Sequence, residues 1–325
     1  MRRIISSGET AFRCFPPLNL SLLCIIKKNF INHKGDPMAV CSDYHIHTSF
    51  SADSEALMDD QIQAAIAAGL SSICFTEHVD LDSPFRNAPP SDPTADFHLD
   101  YDAYRQMYLL KKIHYAGRIQ IFFGLELGLR ASMTDQLHQY LALHPDFDFV
   151  IGSTHSARDG MDPYYDSFFR AWPGEEAFDP YRMYFEAALA NIRAFDDFDS
   201  YGHLDYILRC GPSSVDGSSP ERSSSYLYEK YADVIDPILC ELILREKALE
   251  LNTSPLKKGF PETNPGKAIL KKYHDFGGRL VTVGSDAHTP EGVGFAFDRA
   301  AALLKECGFT EYATFEKRQP VMHAL

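Results

Sequence analysis

The sequence predicts an α/β fold in which a parallel sheet closes, or nearly closes, into a barrel. Three observations carry that expectation. Short apolar runs alternate with helical stretches seven times over, the pattern of parallel strands joined by helical crossovers. The chain has 325 residues, 45% hydrophobic and 23% charged. That suits one large soluble core and excludes both a disordered chain and a disulfide-stapled miniature. Lastly, ionisable side chains gather where the strand-like runs end.

The strands are expected at 42–45, 72–76, 119–125, 147–152, 199–203, 248–252 and 280–285, each short, apolar and often bounded by Gly, Asp or Asn. The helices are expected at 59–68, 101–115, 134–143, 180–194, 226–246, 266–276 and 292–307. The first of them has an acidic opening turn, Asp59 and Asp60, and an apolar face at Ile62, Ala65 and Ile66. Two connections, 80–100 and 157–179, are longer than usual, and loops of that size in a compact domain commonly serve as lids or pocket walls. No repeat, low-complexity tract or linker divides 39–325, which reads as one domain.

Residues 1–38 follow a different design. Six basic residues against two acidic ones give this segment +4, which leaves −18 for the rest of a chain whose total is −14. Its apolar run at 18–26 is too short to span a bilayer, and Lys27-Lys28-Asn29-Phe30 follows it in place of a small-residue cleavage site. The segment reads as an extension outside the fold, with Met38 opening the folded body; the alternative is an Arg- and Ser-containing transit peptide. The acidic body argues against a nucleic-acid partner, whose phosphates call for a basic stripe. A small phosphorylated substrate stays open, since a metal site supplies local positive charge. Seven cysteines without a CxxC pair read as reduced thiols of a cytoplasmic protein, and no membrane partner is expected.

Six of thirteen histidines fall at proposed strand ends: His45, His47, His78, His155, His203 and His288. Asp53, Glu126 and Asp286 stand in equivalent places. One histidine after a strand is usually a satisfied polar residue. Six with three carboxylates, arriving from nearly every strand at the barrel's C-terminal face, reverse that expectation. Imidazole and carboxylate suit Zn, Mn or Fe(II), and nine groups are too many for one ion, so the site reads as multinuclear. His45 and His47, two apart on a strand, point the same way. Asp286 and His288 repeat that spacing at the last strand, and Glu126 is read as the one acid among the central strands, placed to bridge two ions.

These motifs carry a resemblance. Asp-Tyr-His-Ile-His-Thr (43–48), Ser-Ala-Asp-Ser (51–54), Phe-Thr-Glu-His (75–78), Gly-Leu-Glu (124–126), Gly-Ser-Thr-His-Ser (152–156), Gly-His-Leu-Asp (202–205), Leu-Glu-Leu-Asn-Thr-Ser (249–254) and Val-Gly-Ser-Asp-Ala-His (283–288) resemble the PHP superfamily, and within it the histidinol-phosphate phosphatases. The resemblance covers 42–298 and departs at Glu77, where relatives usually carry Asp in a position that is not a ligand. It implies a distorted (β/α)7 TIM-like barrel with three divalent metal ions, Zn, Mn or Fe, at the C-terminal ends of the strands. His45, His47, Glu126 and Asp286 would hold the first ion; Glu126, His155 and His203 the second; Asp53, His78 and His288 the third. Glu126, Asp286 and His288 would be catalytic through these ions.

The implied reaction is hydrolysis of a phosphate monoester, histidinol phosphate to histidinol and phosphate, by in-line attack of a metal-bridging hydroxide. No nucleophile motif competes, because Cys74 sits in an apolar strand and reads as core. Arg209, six residues past His203, resembles the phosphate-binding arginine of these enzymes, and its fork suits phosphate oxygens. Arg158 and Arg86, in the long loops, are weaker candidates. The aromatic loop 164–172 either covers a substrate ring or packs itself down. Competing readings are a phosphoesterase for another small ester or nucleotide, a metal-dependent amidohydrolase-like enzyme, and a barrel kept only for binding.

Overall fold

A computed structural model describes residues 39–81, 99–157, 160–171, 174, 177–210 and 224–325. The extension expected at 1–38 lies outside the described residues. In chain order the elements are β1 (Ser42–Ile46), α1 (Met58–Ala67), β2 (Ser72–Val79), α2 (Tyr101–His114), β3 (Gln120–Gly128), α3 (Thr134–Leu143), β4 (Phe149–Ser153), α4 (Pro180–Ala194) and β5 (Ser200–Tyr201). They continue with α5 (Ser224–Leu244), β6 (Ala248–Asn252), the short α6 (Ser254–Lys257), α7 (Lys267–Asp275), β7 (Val281–Gly284), α8 (Phe297–Cys307), β8 (Glu311–Glu316) and β9 (Gln319–Ala324).

Strands β1 to β7 pair in sequence order, all parallel, as the alternation predicts. The ring closes through one parallel bridge, Ile46 to Ala287, where His47 N donates to Ala287 O at 3.0 Å and Asp286 N to His45 O at 2.8 Å. This is a nearly closed (β/α)7 barrel. Two buried polar side chains reinforce so thin a seam. Gln61 of α1 donates to the carbonyls of His47 (2.7 Å) and Ala287 (3.1 Å). Asp43 accepts the backbone N–H groups of Ser285 and Gly294, both at 2.9 Å.

Helix ends follow local chemistry. Asp100 caps α2 by accepting from Ala103 N at 3.0 Å, and Asp179 caps α4 ahead of Pro180 by accepting from Arg182 N at 3.2 Å. Along α1, Met58, Gln61, Ile62 and Ala65 are buried, whereas Ile66, expected on the apolar face, is exposed. The last helix starts at Phe297 instead of residue 292, because Gly294 (φ 65°) and Ala296 (φ 58°) break the helical run.

The barrel interior has two storeys. The lower one is apolar: Tyr44, Cys74, Phe149, Ile151 and Ala248 pack with Ala313 and Phe315. Cys74 is therefore core, as its sequence setting predicts, and burial holds its thiol well above the usual range. Ala313 and Phe315 belong to the antiparallel β8–β9 hairpin, which closes the bottom of the barrel. Phe315 stacks on Phe149 at 5.1 Å, Tyr44 donates its hydroxyl to Phe315 O at 3.0 Å, and Arg318 N donates to Asp148 O at 2.8 Å.

The sequence reading missed this hairpin, and its turn explains why. Lys317 (φ 51°) and Arg318 (φ 63°) both adopt the left-handed region that Asn-Gly normally signals. Ion pairs between Arg318 and Asp197 and Asp199 hold the turn in place. No described helix is long and apolar enough to cross a membrane.

The hairpin already fills the bottom of the barrel, where Ala313 and Phe315 pack against the strands. Deleting residues 1–37 is therefore expected to leave the melting temperature unchanged. Phe315→Ala should instead cost about 3–5 kcal/mol. Thermal denaturation of the two variants beside the full chain checks both, and a large drop on truncation would refute the first.

Candidate metal centre

The upper storey is polar and belongs to the same strands. Strands β2 and β3 run to Val79 and Gly128, beyond their expected ends, so His78 and Glu126 lie within the sheet, paired in register below the rim. A register shift between Asp43 and Ile46 in β1 lets Tyr44 join the lower apolar cluster while His45 serves the mouth. Strand β5 pairs over only two residues, and His203 follows it with a φ of 20°. Asp286, just past β7, takes a φ of 53°, which Asp tolerates better than most residues.

Glu126 is fully buried, and five imidazoles approach it. Its Oε1 stands 2.9 Å from His203 Nε2 and 3.0 Å from His155 Nε2. Its Oε2 stands 3.0 Å from His45 Nε2, 3.2 Å from His78 Nδ1 and 3.4 Å from His47 Nε2. Asp286 Oδ1 faces His47 Nε2 at 3.5 Å and His45 Nε2 at 3.8 Å. At the mouth, Asp53 Oδ2 lies 3.0 Å from His288 Nε2 and 3.6 Å from His78 Nε2. The fold thus brings all nine candidate residues into one constellation, and each of the three expected sets is contiguous.

Two acids that the sequence reading passed over complete it. Glu250 on β6 bonds His45 Nδ1 at 2.5 Å and accepts His203 N at 2.8 Å, and Asp80 bonds His155 Nδ1 at 2.8 Å. Each carboxylate fixes one ring nitrogen and leaves the other aimed at Glu126, an arrangement typical of ligating histidines. Glu126 is therefore not the only acid on the inner strands. An acid inside Leu-Glu-Leu, on the inward phase of an apolar strand, was the available signal for Glu250. Asp80, two residues beyond His78, shared that residue's phase. Glu77 is held differently, accepting from Thr48 Oγ1 at 2.6 Å and from Ser51 Oγ at 2.6 Å, the hydroxyl that also stands 3.2 Å from His47 Nδ1.

Gly284 makes the crowding possible. A Cβ there would lie 2.4 Å from His45 Cβ and 2.5 Å from Glu250 Oε1, so any larger residue would push the His45–Glu250 pair apart.

The donor spacing fits divalent ions. His47 Nε2 is buried without a hydrogen-bond partner although two carboxylate oxygens stand within 3.5 Å. Donors about 2.1 Å from a tetrahedral ion stand about 3.4 Å apart, so these atoms are spaced as around a common centre. Four overlapping sets of three donors, His45/His47/Asp286, His45/Glu126/His203, His47/His78/His288 and His78/Asp80/His155, gather their atoms within 4.8 Å of one another.

Electrostatics agree with that reading. Burial pushes Glu126 and Asp286 upward, but His45 beside both outweighs it, with His155 and His78 adding on Glu126 and Arg209 on Asp286; both carboxyls lie well below the usual range. Burial opposes charge on His45 and His155. Glu250 and Glu126 overcome it for His45, Asp80 and Glu126 for His155, and both rings rise well above 6.5. His47 rises to about 9 against its burial, through Asp286 and Glu126, whereas burial and His47 push His78 down to about 4.

A cleft of about 550 Å³ opens above the cluster. Arg209 lines it, buried instead of lying on the surface. Its Nη1 donates to Asp286 Oδ2 (2.7 Å), its Nη2 to Asn252 Oδ1 (2.7 Å) and its Nε to Asn264 Oδ1 (2.5 Å). Arg158 and Arg86 lie outside the described residues. In the aromatic loop Phe168 is buried, which is the packing role, while Tyr164 is exposed on the cleft wall.

The family model described as the PHP domain matches residues 43–254. Histidinol-phosphatase of Lactococcus lactis subsp. lactis is 34% identical over 84% of this chain and 93% of its own length. A probable histidinol-phosphatase of Clostridium acetobutylicum is 31% identical over 85% of this chain and 97% of its own. The crystal structure of the Lactococcus lactis histidinol phosphate phosphatase, complexed with Zn, L-histidinol and phosphate, superposes with a TM-score of 0.71 at 32% identity. That match covers 86% of this chain and 98% of the other. A putative histidinol phosphatase from Listeria monocytogenes shares the fold, with a TM-score of 0.65 at 20% identity over 79% of this chain and 99% of its own.

A ligating imidazole must be neutral, so ion uptake must displace protons held by His45, His47 and His155. Raised imidazole pKa values stabilise the chelated fold fully below 6.5, and His47's contribution fades as pH passes about 9. Ion affinity moves the opposite way and tightens as pH rises through that window. Calorimetric titration of Zn into chelated protein, in buffers of differing ionisation enthalpy, is expected to show proton release near neutral pH; pH-independent affinity without proton release would contradict it.

Proposed function

The chain belongs to the PHP-domain family, and from that membership we propose that it is a metal-dependent phosphomonoester hydrolase, a histidinol-phosphatase that converts histidinol phosphate and water to histidinol and phosphate. The observation that carries this reading is the Glu126 cluster, five imidazoles around one buried carboxylate at 2.9–3.4 Å. Relatives that the chain matches over 93–97% of their length carry that activity in their names, and one of them is solved with Zn, L-histidinol and phosphate.

His45, His47, Glu126 and Asp286 hold one divalent ion in this reading, Glu126 with His155 and His203 a second, and Asp53, His78 and His288 a third. Zn is the ion the relatives support, and the donor set also suits Mn or Fe(II). Ions held there would supply charge to neutralise the phosphoryl oxygens, to acidify a water and to stabilise the departing alkoxide.

The chain's own groups do the rest. Glu126 and Asp286 stay ionised and so keep the cluster competent for cations. Glu250 and Asp80 hold the rings of His45 and His155 in one tautomer and orientation. Arg209 is pre-set by Asn252, Asn264 and Asp286, so its planar fork meets the phosphate with little loss of side-chain freedom. Lys257 and Lys258 add positive charge at the rim of the cleft.

Metal-replete protein should release phosphate from histidinol phosphate faster than from nucleoside monophosphates or phosphotyrosine. Equal or better turnover of the latter two would overturn the substrate assignment. Glu126→Gln is expected to lose bound ion, by elemental analysis, and orders of magnitude in turnover while the circular dichroism spectrum persists. Arg209→Ala should weaken kcat/KM by about 1.5–3 kcal/mol, a ten- to hundredfold loss; unchanged kcat/KM would remove Arg209 from the phosphate site.

A further inference from the structure

Glu77 has no part in the chemistry described above, yet it is fully buried. Neighbours on a strand point to opposite faces, so while His78 faces Glu126, Glu77 turns toward the loop that follows β1. Its Oε2 accepts from Thr48 N at 3.0 Å and from Ser51 Oγ at 2.6 Å, and its Oε1 accepts from Thr48 Oγ1 at 2.6 Å. A turn closed by Ser51 N donating to Thr48 O at 2.9 Å brings Ser51 back toward β1. There its hydroxyl stands 3.2 Å from His47 Nδ1.

Counting protons fixes the direction of that last contact. A hydroxyl has one proton to give and two lone pairs. Glu77 Oε2 already faces the Thr48 N–H and so accepts from Ser51 as well, which uses the serine's one proton. One of the serine's lone pairs takes His78 N at 3.0 Å. Only a lone pair remains for His47, so its Nδ1 carries the hydrogen, and in the neutral ring Nε2 is bare. That bare nitrogen is the one buried without a hydrogen-bond partner, 3.4 Å from Glu126 Oε2 and 3.5 Å from Asp286 Oδ1. A lone pair facing two carboxylate oxygens is repulsive until a cation stands among them. The rings of His78 and His288, with centres 4.2 and 4.3 Å from that of His47, pack against it and hinder a flip.

We propose that Ser51, aligned by Glu77, is a positioning residue that commits His47 to hold a divalent ion through Nε2. The proposal rests on the metal-dependent reading and adds to it a device outside the nine ligands. Glu250 and Asp80 meet the rings of His45 and His155 directly. At His47 the same orientation is passed from carboxylate to ring through a hydroxyl. The serine is suited to this because one oxygen serves two strands: it accepts from the His47 ring at the end of β1 and from the His78 backbone on β2. Removing the hydroxyl leaves His47 free to present either nitrogen to the ion, and the ligand loses its preorganisation.

The test asks whether Ser51 acts through His47. Zn affinity of chelated protein is measured by competition with a chromophoric chelator for wild type, Ser51→Ala, His47→Gln and the double variant, with circular dichroism as the check of fold. The turn at Ser51 is closed by backbone bonds, which alanine leaves in place. Ser51→Ala is expected to weaken Zn binding at least tenfold in the wild-type background and less than twofold once His47 is replaced. Wild-type affinity in Ser51→Ala, or an equal loss in both backgrounds, overturns the proposal. Proton–nitrogen correlation spectra of the Zn-loaded wild type, with isotope-labelled histidine, give a second measure that depends on no variant's stability. The ring signals missing from His47→Gln are expected to show hydrogen on Nδ1 and the ion on Nε2; hydrogen on Nε2 overturns the proposal. Failure of the wild type to bind Zn at all instead overturns the metal-dependent reading, so the two failures remain distinct.

Discussion

One buried carboxylate constrains the upper half of this barrel. Glu126 has no exposed surface, stays ionised, and lies within 3.4 Å of nitrogens from five histidines. An ionised carboxylate out of water is tolerated only with opposite charge and hydrogen bonds around it. Ser153 Oγ supplies one hydrogen bond at 2.7 Å, and the imidazoles supply the rest. Those rings need partners of their own, which draws Glu250 to His45 and Asp80 to His155. The demand then reaches the backbone: Gly284 must lack a side chain, and β1 must shift register so that His45 reaches the mouth.

The lower half answers a different requirement. A seven-stranded ring sealed by one bridge, Ile46 to Ala287, has little ladder energy at its seam. The β8–β9 hairpin compensates by filling the bottom with Phe315 and tying itself to Tyr44 of β1 and Asp148 just before β4. That dry floor supports the polar storey above it. Apolar packing beneath the cluster keeps water from its underside, so the charges there act in a low dielectric.

The sequence carried the alternation of strands and helices and all nine members of the cluster, because both follow from local patterns: apolar periodicity and histidines at strand ends. What it hid depended on distant partners. Glu250 sits in an apolar strand and gains meaning only when the barrel brings His45 beside it. Gln61 is a polar residue on a helix, and its role exists only where β1 and β7 meet beside it. The hairpin went unread because Lys317-Arg318 is poor turn chemistry, made tolerable by Asp197 and Asp199, far off in the chain. Arg209 had the right neighbourhood in sequence, but its burial among Asn252, Asn264 and Asp286 is a product of the fold.

That burial resolves an apparent conflict between a chain of net charge −14 and an anionic substrate. Exposed charges are screened beyond about 8 Å at physiological salt, so the acidic exterior weighs little at the floor of the cleft. What acts there is local: Arg209, Lys257 and Lys258 along the wall and, in the proposed reading, the ions that the nine side chains would hold. Asp286 joins the two, since one of its oxygens faces His45 and His47 while the other accepts from Arg209. Through that carboxylate the guanidinium and the histidine cluster share one anchor, which keeps the two at a fixed separation.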